Sequence, residues 1–281
     1  MKKLYTFLLL SLVMLTSCNP EKELKFLISD LEGRLLPLYV ESSKSYWAGT
    51  TSGNPEDFQR YAQASIKTAE IYSDKVIFDK LSRMRKSGRV KNPILKRELD
   101  ILYLSFLKGQ ADTTLQNLII EKESLLEQKY AGFRAGFRGE KVNDNFVEEI
   151  LRTSTDNKAL EEVWNAHKAI GRFVAEDVLE IVRLRNKLAQ SLGFDNYHTM
   201  SLTLSEQDPE EISALFDELD EMTNEGFAAL KADMDKMFSA RYKVPVDKLM
   251  PWHYQGRFFQ EAPDLYPVDF DKYYKGATSK L

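Results

Sequence analysis

Along most of the chain large apolar residues return every three or four positions, which is the spacing of one face of an α-helix. Between Glu21 and Tyr46 the set is Leu24, Leu27, Ile28, Leu31, Leu35, Leu38 and Tyr39, with Gly33 and Pro37 placed to bend the helix. Asn54-Pro55-Glu56-Asp57 supplies a capping side chain, a proline at the first helical position and early acids. A helix to about Ser87 follows, with a break expected near Ser73-Asp74. Gly88 closes it, and Asn92-Pro93 opens another on Leu95, Leu99, Leu102, Tyr103 and Phe106. Thr113 to Tyr130 is the next, with Leu115, Leu118, Ile119, Leu125 and Leu126 expected inward. Three glycines then interrupt Ala131 to Glu140, each costing a helix about 1 kcal/mol, so that stretch reads as a loop or a short extended piece. Helical pattern resumes from Asn143 to Arg152, from Lys158 to Leu192 behind Ser154-Thr155-Asp156-Asn157, and from Pro209 to about Tyr242. After Val244, Pro245, Pro251, Pro263 and Pro267 stop any helix, while eight aromatics fall between Trp252 and Tyr274. The pattern predicts an all-α protein with no internal repeat and no run of strands.

The first residues follow a different rule. Lys2-Lys3 precede an apolar run from Leu4 to Leu15, too short for a spanning helix, which needs about 20 residues. Leu15-Thr16-Ser17-Cys18 then matches a lipoprotein processing site, in which the thiol takes a diacylglyceryl group and the small residues admit a signal peptidase. Residues 1–17 are thus expected to be a signal peptide, Cys18 the lipidated mature N-terminus, and the protein exported and held on a membrane of the cell envelope. Each buried CH2 of such an anchor contributes about 0.8 kcal/mol. Cys18 is the only cysteine, so no disulfide can form within the chain. Residues 18–281 are 264 in number, enough for one large domain or two lobes. Loss of Lys2 and Lys3 leaves 37 basic against 43 acidic residues, a formal charge of -6, which offers nothing to nucleic acid.

Candidate chemistry is sparse. The three histidines, His167, His198 and His253, include no His-Glu-x-x-His pair of the kind that holds zinc on one helix face. His167 and His198 read as helix-surface or interface residues. No Gly-x-Ser-x-Gly elbow or phosphate loop occurs. Glu148-Glu149, Glu210-Glu211 and Asp220-Glu221 diverge by about 100 degrees on a helix and read as solvated faces. Arg183, Arg185 and Lys187 fit surface charges or an anion contact. Met250 to Glu261 alternates hydrogen-bonding groups with rings, so Trp252, His253, Tyr254, Gln255, Phe258 and Phe259 form either a peptide-cleft wall or a packed seam.

Three segments carry a resemblance: Leu184-Arg185-Asn186-Lys187-Leu188-Ala189-Gln190-Ser191-Leu192-Gly193-Phe194-Asp195-Asn196-Tyr197, then Met250 to Gln255, then Phe258 to Pro263. Their order and spacing resemble the amino-terminal half of the angiotensin-converting-enzyme-like family of zinc peptidyl-dipeptidases, in its bacterial lipoprotein form. Tyr46-Trp47 and the Phe137-Arg138-Gly139 loop sit where that family places similar elements. Where the family commonly shows Asp-Pro before the two phenylalanines, this chain has Gly256-Arg257. The resemblance implies a mainly helical, two-lobed body around a cleft, peptides as partners, and zinc held by a His-Glu-x-x-His helix and a later glutamate. None of those ligands can be carried over to a position here, so no catalytic or metal residue is assigned. The expectation is the front portion of a peptidase, inactive alone and completed by a missing C-terminal half, the gene being cut short or misread. The alternatives are a lipid-anchored helical protein that binds peptides or a partner without catalysis, and an enzyme using His253 with an acidic residue. Replacing Cys18 with alanine is expected to move the protein from the detergent to the aqueous layer in a detergent phase separation. Equal partition of both forms would overturn the anchor.

Overall fold

A computed structural model of the chain describes residues 19–259, and the expectations for the signal peptide, Cys18 and Gln260 onward lie outside the described residues. Nine helices among these residues carry nearly all of the regular structure: α1 Pro20–Ser52, α2 Pro55–Tyr72, α3 Lys75–Ser87, α4 Pro93–Lys108, α5 Thr113–Gly132, α6 Asp144–Thr153, α7 Asn157–Ser191, α8 Tyr197–Leu204 and α9 Pro209–Tyr242. A hairpin of β1 Ala135–Phe137 and β2 Glu140–Val142 lies between α5 and α6, and 3-10 turns at Val246–Lys248 and Pro251–Tyr254 follow α9. The fold is all-α, as the pattern predicts.

Each helix opens on an Asn or Asp whose side-chain oxygen accepts a backbone N–H of the first turn. The nine are Asn19, Asn54, Asp74, Asn92, Asp112, Asn143, Asp156, Asn196 and Asp208, at 2.8–3.1 Å. Each such cap satisfies a donor that the helix itself leaves free and contributes about 1 kcal/mol.

The chain divides into two compact units, Met1–Gly132 with Val174–Ile212, and Phe133–Phe173 with Ser213–Leu281. In the first, Leu24, Leu27, Leu31 and Leu35 of α1 pack with Leu81 and Met84 of α3 and with Leu95, Leu99 and Phe106 of α4. α1 runs on to Ser52 through Gly33 and Pro37. Both lie on its exposed side, where water serves the carbonyl that a proline leaves unpaired. Asp74 separates α2 from α3 where the break is expected. Gly109 seats the end of α4 against α2, for a Cβ there would lie 2.2 Å from the Tyr72 carbonyl oxygen.

A second cluster of this unit joins Ala111, Leu115 and Ile119 to Leu188, Ala189 and Met200. Here the inward assignment of Leu118 and Leu125 is corrected, because both are exposed. α5 turns Gln116 and Ser124 inward together with Leu115 and Ile119. The Gln116 amide donates to the carbonyls of Gly109 at 3.0 Å and Ala111 at 2.8 Å, and the Ser124 hydroxyl to that of Phe58 at 2.8 Å. Polar groups so satisfied can occupy a core face that apolar spacing alone would give to leucine.

In the second unit Val147 and Leu151 of α6, Leu160, Val163 and Trp164 of α7, and Met234, Phe238 and Tyr242 of α9 form one cluster. The glycine-rich stretch is the hairpin, with Ala135 opposite Val142 and Phe137 opposite Glu140. Arg138 at φ 51 and Gly139 at φ 91 make the left-handed pair that a two-residue turn between right-twisted strands requires. α8, absent from the pattern, follows Asn196.

Phe106→Ala, at a fully buried ring, is expected to lower the unfolding free energy by about 3–5 kcal/mol in urea titrations, and Leu125→Ala by no more than about 0.5 kcal/mol; equal losses would contradict the packing. Glu21 Oε1 accepts the N–H groups of Lys91 at 2.8 Å and Asn92 at 2.9 Å, which lowers its pKa. Its contribution is therefore complete above the unfolded value of about 4.3 and is lost as pH falls below it. Glu21→Gln should flatten the acid limb of a stability curve, and an unaltered limb would contradict the contact.

Candidate functional site

The second unit places Met250 to Phe259 in the loop after α9. Tyr242 ends that helix, Lys243 takes the left-handed conformation at φ 54, and Pro245 and Pro251 set two 3-10 turns. Within the second turn the Met250 N–H donates to His253 Nδ1 at 2.8 Å and the His253 N–H to the Met250 carbonyl at 2.9 Å. The neutral ring thus carries its proton on Nε2, an assignment made from hydrogen bonding. His253 is buried between Tyr242, centroid 4.9 Å away, and Trp252. Burial pushes its pKa down. The Gln255 amide, also buried, donates to the Arg152 carbonyl at 3.2 Å. Tyr254 OH donates to Asp235 Oδ1 at 2.5 Å while Lys231 Nζ donates to the same hydroxyl at 2.8 Å.

The loop ends on an ionic anchor. Arg257 meets Asp144 at 2.6 Å and Glu148 at 2.7 Å, both on α6, and its carbonyl accepts Lys168 Nζ at 2.7 Å. Burial works against the guanidinium, and Glu148 with Asp144 more than offsets it, leaving the pKa above the ordinary value. Glu148, one of the acids expected on a solvated face, is therefore a partner here. Lys168 Nζ lies 4.6 Å from the ring centroids of Trp164 and Phe258, and burial, then Arg257, lowers its pKa. His167, expected at a surface or interface, is buried beneath this anchor with Phe258 edge-on at 5.7 Å. Its Nδ1 is 4.0 Å from Asp144, and neither ring nitrogen has a hydrogen-bond partner. Above these groups Phe258 and Phe259 keep 45% and 55% of their surface, Phe259 packing on Trp164 at 5.6 Å.

The six flagged residues thus divide. His253 and Gln255 face inward, Trp252 and Tyr254 are half-buried, and Phe258 and Phe259 offer a ledge to solvent. The ledge can hold an apolar side chain, and His253 has no carboxylate partner among the described residues that would make it a base. Sequence reasoning missed Arg257, Lys168 and Asp144, because their pairing joins positions about ninety to over a hundred residues apart and no local spacing marks it.

In the first unit the Arg-Asn to Tyr segment proves to be a helix stop. Gly193, at φ 88, follows α7, with the Gly193 N–H on the Gln190 carbonyl and the Phe194 N–H on that of Ala189, both at 3.1 Å. Asn186 Oδ1 accepts the Tyr197 N–H at 2.9 Å and so starts α8. Arg185 pairs with Glu123 at 2.7 Å and lies over the Tyr197 ring. A cavity of about 340 Å³ opens beside this turn, lined among others by Tyr39, Tyr72, Gln116, Glu123 and Tyr197. The Tyr39 and Tyr72 hydroxyls meet there at 2.7 Å, and burial raises the Tyr72 pKa.

Nowhere among the described residues do three His, Cys, Asp or Glu side chains gather as a metal ion needs. His167 packs on Phe258 near one carboxylate, Asp144, and His253 lies between Tyr242 and Trp252, so the donor chemistry of these residues does not fit a zinc site.

Buried neutral, His167 and His253 bind fewer protons folded than unfolded below about pH 6.5, so stability should fall as pH drops from there. Asp144 and Glu148 oppose this at His167, and Arg257 and Lys168 reinforce it. The melting temperature is expected to decline from about pH 7 to about pH 5.5. His167→Gln and His253→Gln should each reduce that slope; an unchanged slope in both would contradict the burial.

The sequence profile of the peptidase family described as angiotensin-converting enzyme matches residues 18–261. No curated protein matches the chain.

Proposed function

Because the chain belongs to the angiotensin-converting enzyme family of peptidases, we propose that its described residues form the helical scaffold of a zinc peptidase, the metal ligands and general base being supplied from outside them. The family match over residues 18–261 carries this reading. The donor chemistry of residues 19–259, which assembles no zinc site, supports the division of labour. Zinc, when bound in such an enzyme, polarises the peptide carbonyl and brings bound water to a pKa of about 7.

The work left to this chain is to receive and orient peptide. Phe258 and Phe259, held by the Arg257 anchor, offer apolar surface to a substrate side chain, and Lys168 beside them is engaged by the Arg257 carbonyl. A lipid on Cys18 would keep that surface at the membrane of the cell envelope. Binding of peptides without any hydrolysis is the second reading, favoured by the exposure of the same two rings.

The chain with added zinc is expected to leave a blocked reporter peptide intact. Turnover that a chelator abolishes would contradict the scaffold reading. The second reading expects saturable binding of that peptide, weakened about tenfold in Phe259→Ala with the melting temperature within a few degrees; unchanged affinity would remove the ledge as its contact.

A further inference from the structure

We propose that the face of α9 between Ser213 and Leu230 is a docking surface for a cationic amphipathic helix of another polypeptide. Leu215, Leu219, Met222, Gly226 and Leu230 advance by steps of four, three, four and four, which keeps them on one stripe, with Phe216 and Phe227 at its edge. Every residue from Ser213 to Leu230 is exposed, and Phe216, Met222 and Phe227 keep 65, 72 and 61% of their surface. Single surface hydrophobics need no explanation, but six large ones along roughly 22 Å of one helix form a continuous patch.

Charge selects the occupant. Glu218 and Glu225 border the stripe on one side and Asp220 on the other, Asp217 and Glu221 lie on the far face, and the segment holds no lysine or arginine. A second copy of the same face would bring acid against acid in either direction, and an anionic bilayer surface would be repelled as well. A helix with an apolar seam and flanking Lys or Arg satisfies both features at once.

Gly226 adds geometry. It sits within the helix, where glycine is destabilising, and a Cβ built on it would have no neighbour within 4 Å. The notch it leaves in the stripe lets a crossing helix approach closely, which offers a reason for a glycine at an exposed helical position.

The inference goes beyond the scaffold reading and stands without it. Its test uses the full chain and two probes, an 18-residue peptide of leucine at helical spacing with lysine elsewhere, and its counterpart with glutamate for lysine. The lysine peptide is expected to bind one to one, about tenfold or more tighter than the glutamate peptide, and to weaken as salt rises. Phe216→Ser combined with Phe227→Ser should abolish binding. Gly226→Leu should weaken it about tenfold while helix content and melting temperature hold or rise, since leucine is the better helix former. Equal affinity for the two peptides, or full affinity in Gly226→Leu, would overturn the proposal. So would dimerisation lost in Phe216→Ser, which would make a second copy the occupant, or tighter binding to vesicles of anionic phospholipid, which would make it a membrane.

Discussion

One interaction recurs at every helix start among the described residues: a carboxamide or carboxylate oxygen of Asn or Asp takes a backbone N–H that the helix cannot satisfy. In an all-helical chain such points fix where each apolar stripe begins, and so which leucines reach the core. Asp74 decides that α2 and α3 are two helices with separate faces, and Asn92 that the stripe of α4 starts at Leu95 and ends on the buried Phe106. The stops are equally local. Gly193 ends α7, and Asn186, about two turns back, reaches forward to hold the Tyr197 amide.

The loop after α9 depends on a contact of another kind. With prolines at 245 and 251 and left-handed residues at Lys243, Gln255 and Phe259, it has no ladder of backbone bonds to hold its course. Arg257 supplies the hold by meeting two carboxylates one turn apart on α6, and Lys168 takes the carbonyl. The guanidinium is the more enclosed member, and the two carboxylates stand at the solvent edge, so it is loss of both acids that would leave a half-buried charge without a counterpart. Phe258 and Phe259 are presented because this set is satisfied.

Much of the fold is legible in the sequence because these signals are short-range. Asn54-Pro55, Asn92-Pro93 and Asp208-Pro209 announce helices that the structure starts at those prolines. α8 escapes notice because eight residues of Tyr-His-Thr-Met-Ser-Leu-Thr-Leu are too few to show a helical period. The inward positions of Gln116 and Ser124 escape it because their partners are backbone carbonyls, at Gly109, Ala111 and Phe58, which no side-chain pattern records. The candidate site was half legible. The aromatic loop stood out by composition, while its anchor, and the burial of His253 by its own turn, depend on long-range pairing and on a backbone contact that no motif records.

For this member of a zinc-peptidase family, the proposal is a helical scaffold whose described residues hold no metal themselves. Equilibrium dialysis of the purified chain against zinc, with the bound metal counted per chain, tests it most directly. No stoichiometric zinc is expected at micromolar free metal. One zinc per chain, retained at that concentration and lost in His167→Gln or His253→Gln, would contradict it.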